Sequence, residues 1–174
     1  MRWNRILLGG LLAAGCSGNG NLASPDGAGP RALTPGLTLS SSEGGLAAGV
    51  VGNAFNFGQL RDLWVRATMP TIAPVVTEHL TFLNPLGERM YETTRAFSLD
   101  PSMQEMPMAG KSSPMTVLRA KPIDGGYAID VGLPIAGTSF TRFPTTAVGE
   151  WQVSAEVDGV AQTLHTTMMV AFER

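Results

Sequence analysis

The chain has 174 residues, enough for one domain of ordinary size and not comfortably for two. Hydrophobic residues make up 44 % and charged residues 15 %, with 21 Gly and 12 Pro. This composition suits short strands joined by turns and excludes a helical bundle rich in Ala, Glu, Lys and Leu. The net charge of −2 becomes about −4 if Arg2 and Arg5 leave with a leader. With no basic run besides, nucleic acid is excluded as an expected partner.

The first segment is a secretory leader by its order of features. Arg2 and Arg5 supply positive charge, Ile6 to Ala14 is apolar apart from two glycines, and Ala13, Ala14 and Gly15 precede the single cysteine, Cys16. The apolar run is too short for a bilayer core, which needs roughly 20 helical residues, and no later segment approaches that length. A lone cysteine in an exported chain cannot close an internal disulfide, so it is reactive, intermolecular or modified. The segment LLAAGC resembles the lipobox of bacterial lipoproteins, although Ala13 stands where leucine is usual and Leu12 lies one place earlier. The resemblance implies cleavage before Cys16 and acylation there, which anchors the chain to a membrane stably when two or three acyl chains are attached. The same resemblance implies sorting to the outer membrane of the cell envelope, because Ser17, and not an aspartate, follows the cysteine.

From Ser17 to Gly36 the sequence is rich in Gly, Pro, Ser and Asn without hydrophobic periodicity, the composition of a flexible tether. The expected organisation is therefore a signal peptide over 1–15, a lipidated cysteine and linker over 16–36, and a β-sandwich domain over 37–174. Within that domain, an edge strand is expected around Leu46 to Phe57. Leu63, Val65, Ala67 and Met69 form one face of a strand ending at Pro70. Leu80 and Phe82 mark another, ending at the turn Asn84-Pro85-Leu86-Gly87. Arg89 to Phe97 and Pro114 to Lys121 look extended but alternate poorly. Tyr127, Ile129, Val131 and Leu133 alternate cleanly after the turn signal Ile123-Asp124-Gly125-Gly126. In GEWQVSAEVDG, Trp151, Val153, Ala155 and Val157 alternate with polar residues. A two-residue turn at Asp158-Gly159 would pair Val157 with Val160, Val153 with Leu164 and Trp151 with Thr166.

Strands at this spacing without an amphipathic helix indicate an all-β antiparallel sandwich. The stretch from Tyr127 to Gly159 resembles the late strands of immunoglobulin-like and fibronectin-III-like domains, carried by Gly149, Trp151, Val153, Asp158 and Gly159. That resemblance implies an immunoglobulin-like fold, without the disulfide many such domains have.

Chemistry-bearing residues are few. His79 and His165 are expected on polar strand faces, and Asp124 and Asp130 on a turn and an exposed face. No zinc-ligand spacing and no Gly-x-Ser-x-Gly elbow is present, so an enzyme is not expected. Trp64 shares a face with Arg66 opposite the apolar side of its strand, making this pair the expected exposed contact. Met103, Met106, Met108 and Met115 crowd one Pro- and Ser-containing stretch, and thioether sulfur suits Cu(I). The expected function is a lipid-anchored, non-enzymatic envelope module that contacts another envelope protein and needs no cofactor. The alternative is a copper-binding protein using the methionines.

Overall fold

The computed structural model describes residues 33–43, 52–108, 110–138, 140 and 148–173. The leader, Cys16 and the tether up to residue 32 lie outside the described residues. Among the described residues, eleven strands form two sheets. They are β1 (Gly36–Ser40), β2 (Ala54–Asn56), β3 (Asp62–Met69), β4 (Val75–Leu83), β5 (Arg89–Ser98), β6 (Glu105–Met106), β7 (Met115–Arg119), β8 (Lys121–Ile123), β9 (Gly126–Pro134), β10 (Gly149–Val157) and β11 (Leu164–Ala171). One sheet has the order β1-β3-β9-β8 and the other β2-β11-β10-β4-β5-β7-β6. The four-strand sheet and the run β11-β10-β4-β5 reproduce the two facing sheets of an immunoglobulin-like sandwich, closed by a sheet-to-sheet crossover between β7 and β8.

The alternation of residue types builds these strands. Along β3 every second side chain is buried, and β9 presents Ile129, Val131 and Leu133 to the same interior. Val76, Leu80 and Phe82 on β4, with Trp151, Val153, Ala155 and Val157 on β10, face them from the other sheet. With no disulfide, the core is cross-braced by an aromatic cluster. Trp151 lies 5.8 Å from Phe57 and 5.7 Å from Phe140, and Phe140 meets Phe82 edge-on at 5.6 Å. Such pairs add to the burial of their large apolar surfaces.

Several strands differ from the sequence pattern. No strand is expected at β1, yet Leu37 and Leu39 are buried there and the strand pairs along β3. The edge strand expected near Leu46 to Phe57 is confined, among the described residues, to β2, where it pairs in parallel with β11. The part before Gly52 lies outside the described residues.

The terminal hairpin keeps its faces but changes register by two residues. Trp151 stands opposite Met168, Val153 opposite Thr166 and Ala155 opposite Leu164. A turn does form at Asp158-Gly159, with Val160 N–H donating to Val157 C=O at 3.0 Å and Gly159 at φ 81°. However, β4 claims the backbone beside it. Asp158 N–H donates to Thr77 C=O at 3.0 Å, and the Thr77 amide donates to the Asp158 carboxylate, also at 3.0 Å. The chain therefore runs on to Thr163 before pairing resumes at Leu164. A shift of two residues leaves every side chain on its expected face, because the pleat repeats every two. The tight two-residue hairpin occurs instead at Asp124-Gly125, between β8 and β9.

Because Trp151 touches both Phe57 and Phe140, Trp151→Ala is expected to cost about 3–5 kcal/mol of unfolding free energy. Urea denaturation of the variant checks this, and Thr167→Ala, on the exposed face of β11, should leave the midpoint nearly unchanged.

Candidate binding groove

The two sheets are not closed equally at their margins. From Tyr127 to Pro134 β9 pairs with β3, but on its other side β8 covers only Gly126 to Ala128. From Ile129 to Pro134 that second edge has no strand beside it among the described residues. The cause lies in the preceding chain. β7 runs parallel to β5 in the opposite sheet, and Ala120 N–H is still held there by Ser98 C=O at 2.8 Å. Only at Lys121 does the chain cross to β9, too late to cover the rest of its edge.

A groove lies between the bare edge of β9 and β7. It consists of two hollows, of about 630 and 460 Å³, which share Leu118 and Gly132. The larger is walled by Arg95, Met108, Lys111 and Met115, the smaller by Trp64, Arg119, Lys121 and Asp130.

Trp64 is half-buried rather than freely exposed, because its indole lies against the bare backbone of Gly132, directly opposite on β9. A Cβ at residue 132 would stand 2.8 Å from the ring. Arg66 is not available as a free contact either. It faces Asp130 across the strand pair and binds it through two of its three guanidinium nitrogens, Nε–Oδ1 at 2.5 Å and Nη2–Oδ2 at 2.9 Å. Lys121 adds a bond to the same carboxylate at 3.1 Å. Asp130, expected on an exposed face, therefore has a side chain only 9 % accessible. Burial alone would raise its pKa, but the hydrogen bonds from Arg66 and Lys121 outweigh that and hold it below the ordinary carboxylate value. Trp64 lines the groove, whereas Arg66 braces the sheet beneath it through its bond to Asp130.

The cations that remain are more informative. Among the described residues, Arg61, Arg66, Arg89 and Lys121 have carboxylate partners. Arg95, Lys111 and Arg119 are the described Lys and Arg side chains with no ion pair or side-chain hydrogen bond, and all three line this groove. Each is exposed. Sequence reasoning did not find them, since they lie on three separate segments and only the crossover of β7 brings them together.

The methionines divide. Met106 and Met115 are direct cross-strand partners between β6 and β7, and Met108 joins Met115 on the groove wall. Met103 sits at the end of the Asp100 turn and does not line the groove. The histidines are apart from all of this. His79 bridges Thr94 Oγ1 through Nδ1 and Glu92 Oε1 through Nε2, each at 3.0 Å, beside a hollow lined by Thr77, Glu156 and Asp158. His165, on β11, is exposed and stands opposite Ser154 of β10. Among the described residues, no group of three or more His, Cys, Asp or Glu side chains is placed to hold a metal ion. No described helix is long and apolar enough to cross a membrane.

One buried group was also missed. Glu78 falls on the inner face of β4 between Val76 and Leu80, with Val157 and Arg95 as its cross-strand neighbours. It is fully buried, and among the described residues neither carboxyl oxygen has a hydrogen-bond partner. Arg95, directly opposite, extends into the groove instead of pairing with it.

No protein-family model and no curated protein matches the chain. Among solved structures, the crystal structure of the C-terminal domain of Wzt is similar, with a TM-score of 0.37 and 13 % identity over 79 % of this chain and 72 % of that one. The likeness is distant, and no residue role passes through it.

Burial pushes the Glu78 carboxyl up to about 8, and the charge of Asp130 adds to the shift. The folded chain then holds a proton that the unfolded chain releases near the ordinary 4.5. Stability should therefore fall as pH rises from about 4.5 to about 8 and level off above, the sign opposite to that of a salt-bridged carboxylate. Glu78→Met should abolish that slope and raise stability at neutral pH by roughly 2–4 kcal/mol, measured by denaturation across the pH range.

Proposed function

We propose that this chain is a lipid-anchored, non-enzymatic module of the bacterial cell envelope that contacts another envelope protein through the groove between β7 and β9. The convergence of Arg95, Lys111 and Arg119, none with an internal partner, on one groove beside a bare strand edge carries the reading. Cations that the fold does not neutralise, set beside Met115 and Leu118, are the mixture of charge and apolar surface that a protein partner can use. A lipid on Cys16 and a Gly-rich tether would hold the domain about 25 Å from the membrane and raise its effective concentration near other membrane-held proteins.

A photo-crosslinking residue at position 118, with a control at position 167 on the outer face of β11, tests this in native membranes. Position 118 should yield an adduct with one discrete envelope protein and position 167 none. By mass spectrometry, the N-terminal peptide of the extracted chain should begin at Cys16 and carry acyl groups. An adduct only from position 167 would move the contact to another face, and an unacylated mass would remove the anchor.

A second reading is favoured by the pairing of Met106 with Met115 and the placement of Met108 on the same wall. These thioethers would take Cu(I), a soft ion matched to neutral sulfur. Replacing Met106, Met108 and Met115 together by Leu should lower Cu(I) affinity at least about tenfold, and an unchanged affinity in a competition titration would end this reading.

A further inference from the structure

We infer that the groove accepts an acidic peptide segment in extended conformation, which adds as a strand to the free edge of β9. This rests on the protein-binding reading above and specifies what the partner presents. The recognising surface is first of all backbone. From Ile129 to Pro134 the outward edge of β9 has no strand partner among the described residues. At about 3.3–3.4 Å per residue, this offers roughly 20 Å of ladder to an incoming strand. Gly132, midway along it and exposed, carries no side chain that could stand in the way.

The walls then select the side chains. A strand alternates its side chains between two sides. Those turned towards β7 would meet Met108, Met115 and Leu118, which are apolar and adaptable. The cations are spread along the groove, Arg95 and Lys111 in one hollow and Arg119 in the other. A matching ligand therefore carries several negative charges at intervals rather than one concentrated head group. The acidic groups on the same surface do not oppose this. Asp130 is bound by Arg66 and Lys121, Asp62 lies 3.7 Å from Arg61, and Glu43 lies 3.7 Å from Lys121. An anionic lipid surface would satisfy the cations but leave the bare N–H and C=O groups of β9 unmatched, and these groups favour a peptide.

The test uses the full chain and a set of octapeptides that alternate Glu with Val, Leu, Met or Thr, read by calorimetry and amide hydrogen exchange. At least one member should bind and slow exchange of amides within Ile129 to Gly132. Methylating its alternate backbone nitrogens should weaken binding about tenfold or more, because the ladder bonds are lost while the charge is kept. The combined variant Arg95→Ala, Lys111→Ala and Arg119→Ala should have a similar effect, and its unchanged exchange elsewhere would show that it folds. Equal binding of the methylated peptide, protection on another edge, no binding by any member, or binding only to phosphatidylglycerol vesicles would each overturn strand addition. A discrete adduct from position 118 with no peptide binding would leave the protein-binding reading standing, whereas loss of both would end the two together.

Discussion

Everything in this fold depends on burying two apolar sheet faces against each other without a covalent tie. The chain has one cysteine, so no disulfide can pin the sheets, and the same duty falls on packing around Trp151. Phe57 and Phe82 each meet Phe140, at 5.9 and 5.6 Å, at steep angles that favour the positive edge of one ring against the face of the next. The ring of Tyr91 closes the cluster against Phe140 at 5.3 Å. These rings come from distant stretches of the chain, so their mutual burial fixes how β4, β5 and β10 lie relative to the segment after β2.

A sandwich built this way still has margins, and the two sheets meet theirs differently. The crossover of β7 to β8 commits residues 115–120 to the seven-strand sheet, leaving Ile129 to Pro134 of β9 with a described strand on the β3 side only. An open strand edge is a hazard for unwanted pairing, and natural proteins blunt it with charge. Here Asp130 and Lys121 stand beside the edge, but each is already engaged, while the unpaired Arg95, Lys111 and Arg119 surround the opening. Cations deter pairing with another cationic or neutral edge and favour an acidic one. Protection and selectivity thus follow from the same side chains.

Glu78 marks the other departure from a consistent core. Position on β4 assigns it to the interior, and no donor reaches its carboxyl. The folded state answers by keeping it protonated, which lowers the cost of burying it without removing it. Its cross-strand neighbour Arg95 instead lies in the groove, so one pair of adjacent residues contributes both the least comfortable group in the core and one of the free cations at the surface.

The sequence by itself determined the class of fold and most of the strands, because a half-buried strand must alternate and β3, β4, β9 and β10 do so plainly. It also placed Trp64 on the outer face and Trp151 in the core, since the pleat decides faces residue by residue. Where alternation is weak, as in β5 and β7, the pattern showed extended chain but not the partner strand. Only the tertiary structure decided the register of the last hairpin, because β4, far away in sequence, takes the hydrogen bonds at Asp158. Only it tied Arg66 to Asp130, stranded Glu78, and gathered Arg95, Lys111 and Arg119 around the bare edge of β9. Local periodicity reports which way a side chain points. What it meets there is set by strands distant in sequence, and those partners determine whether a charge is spent on the fold or left for a ligand.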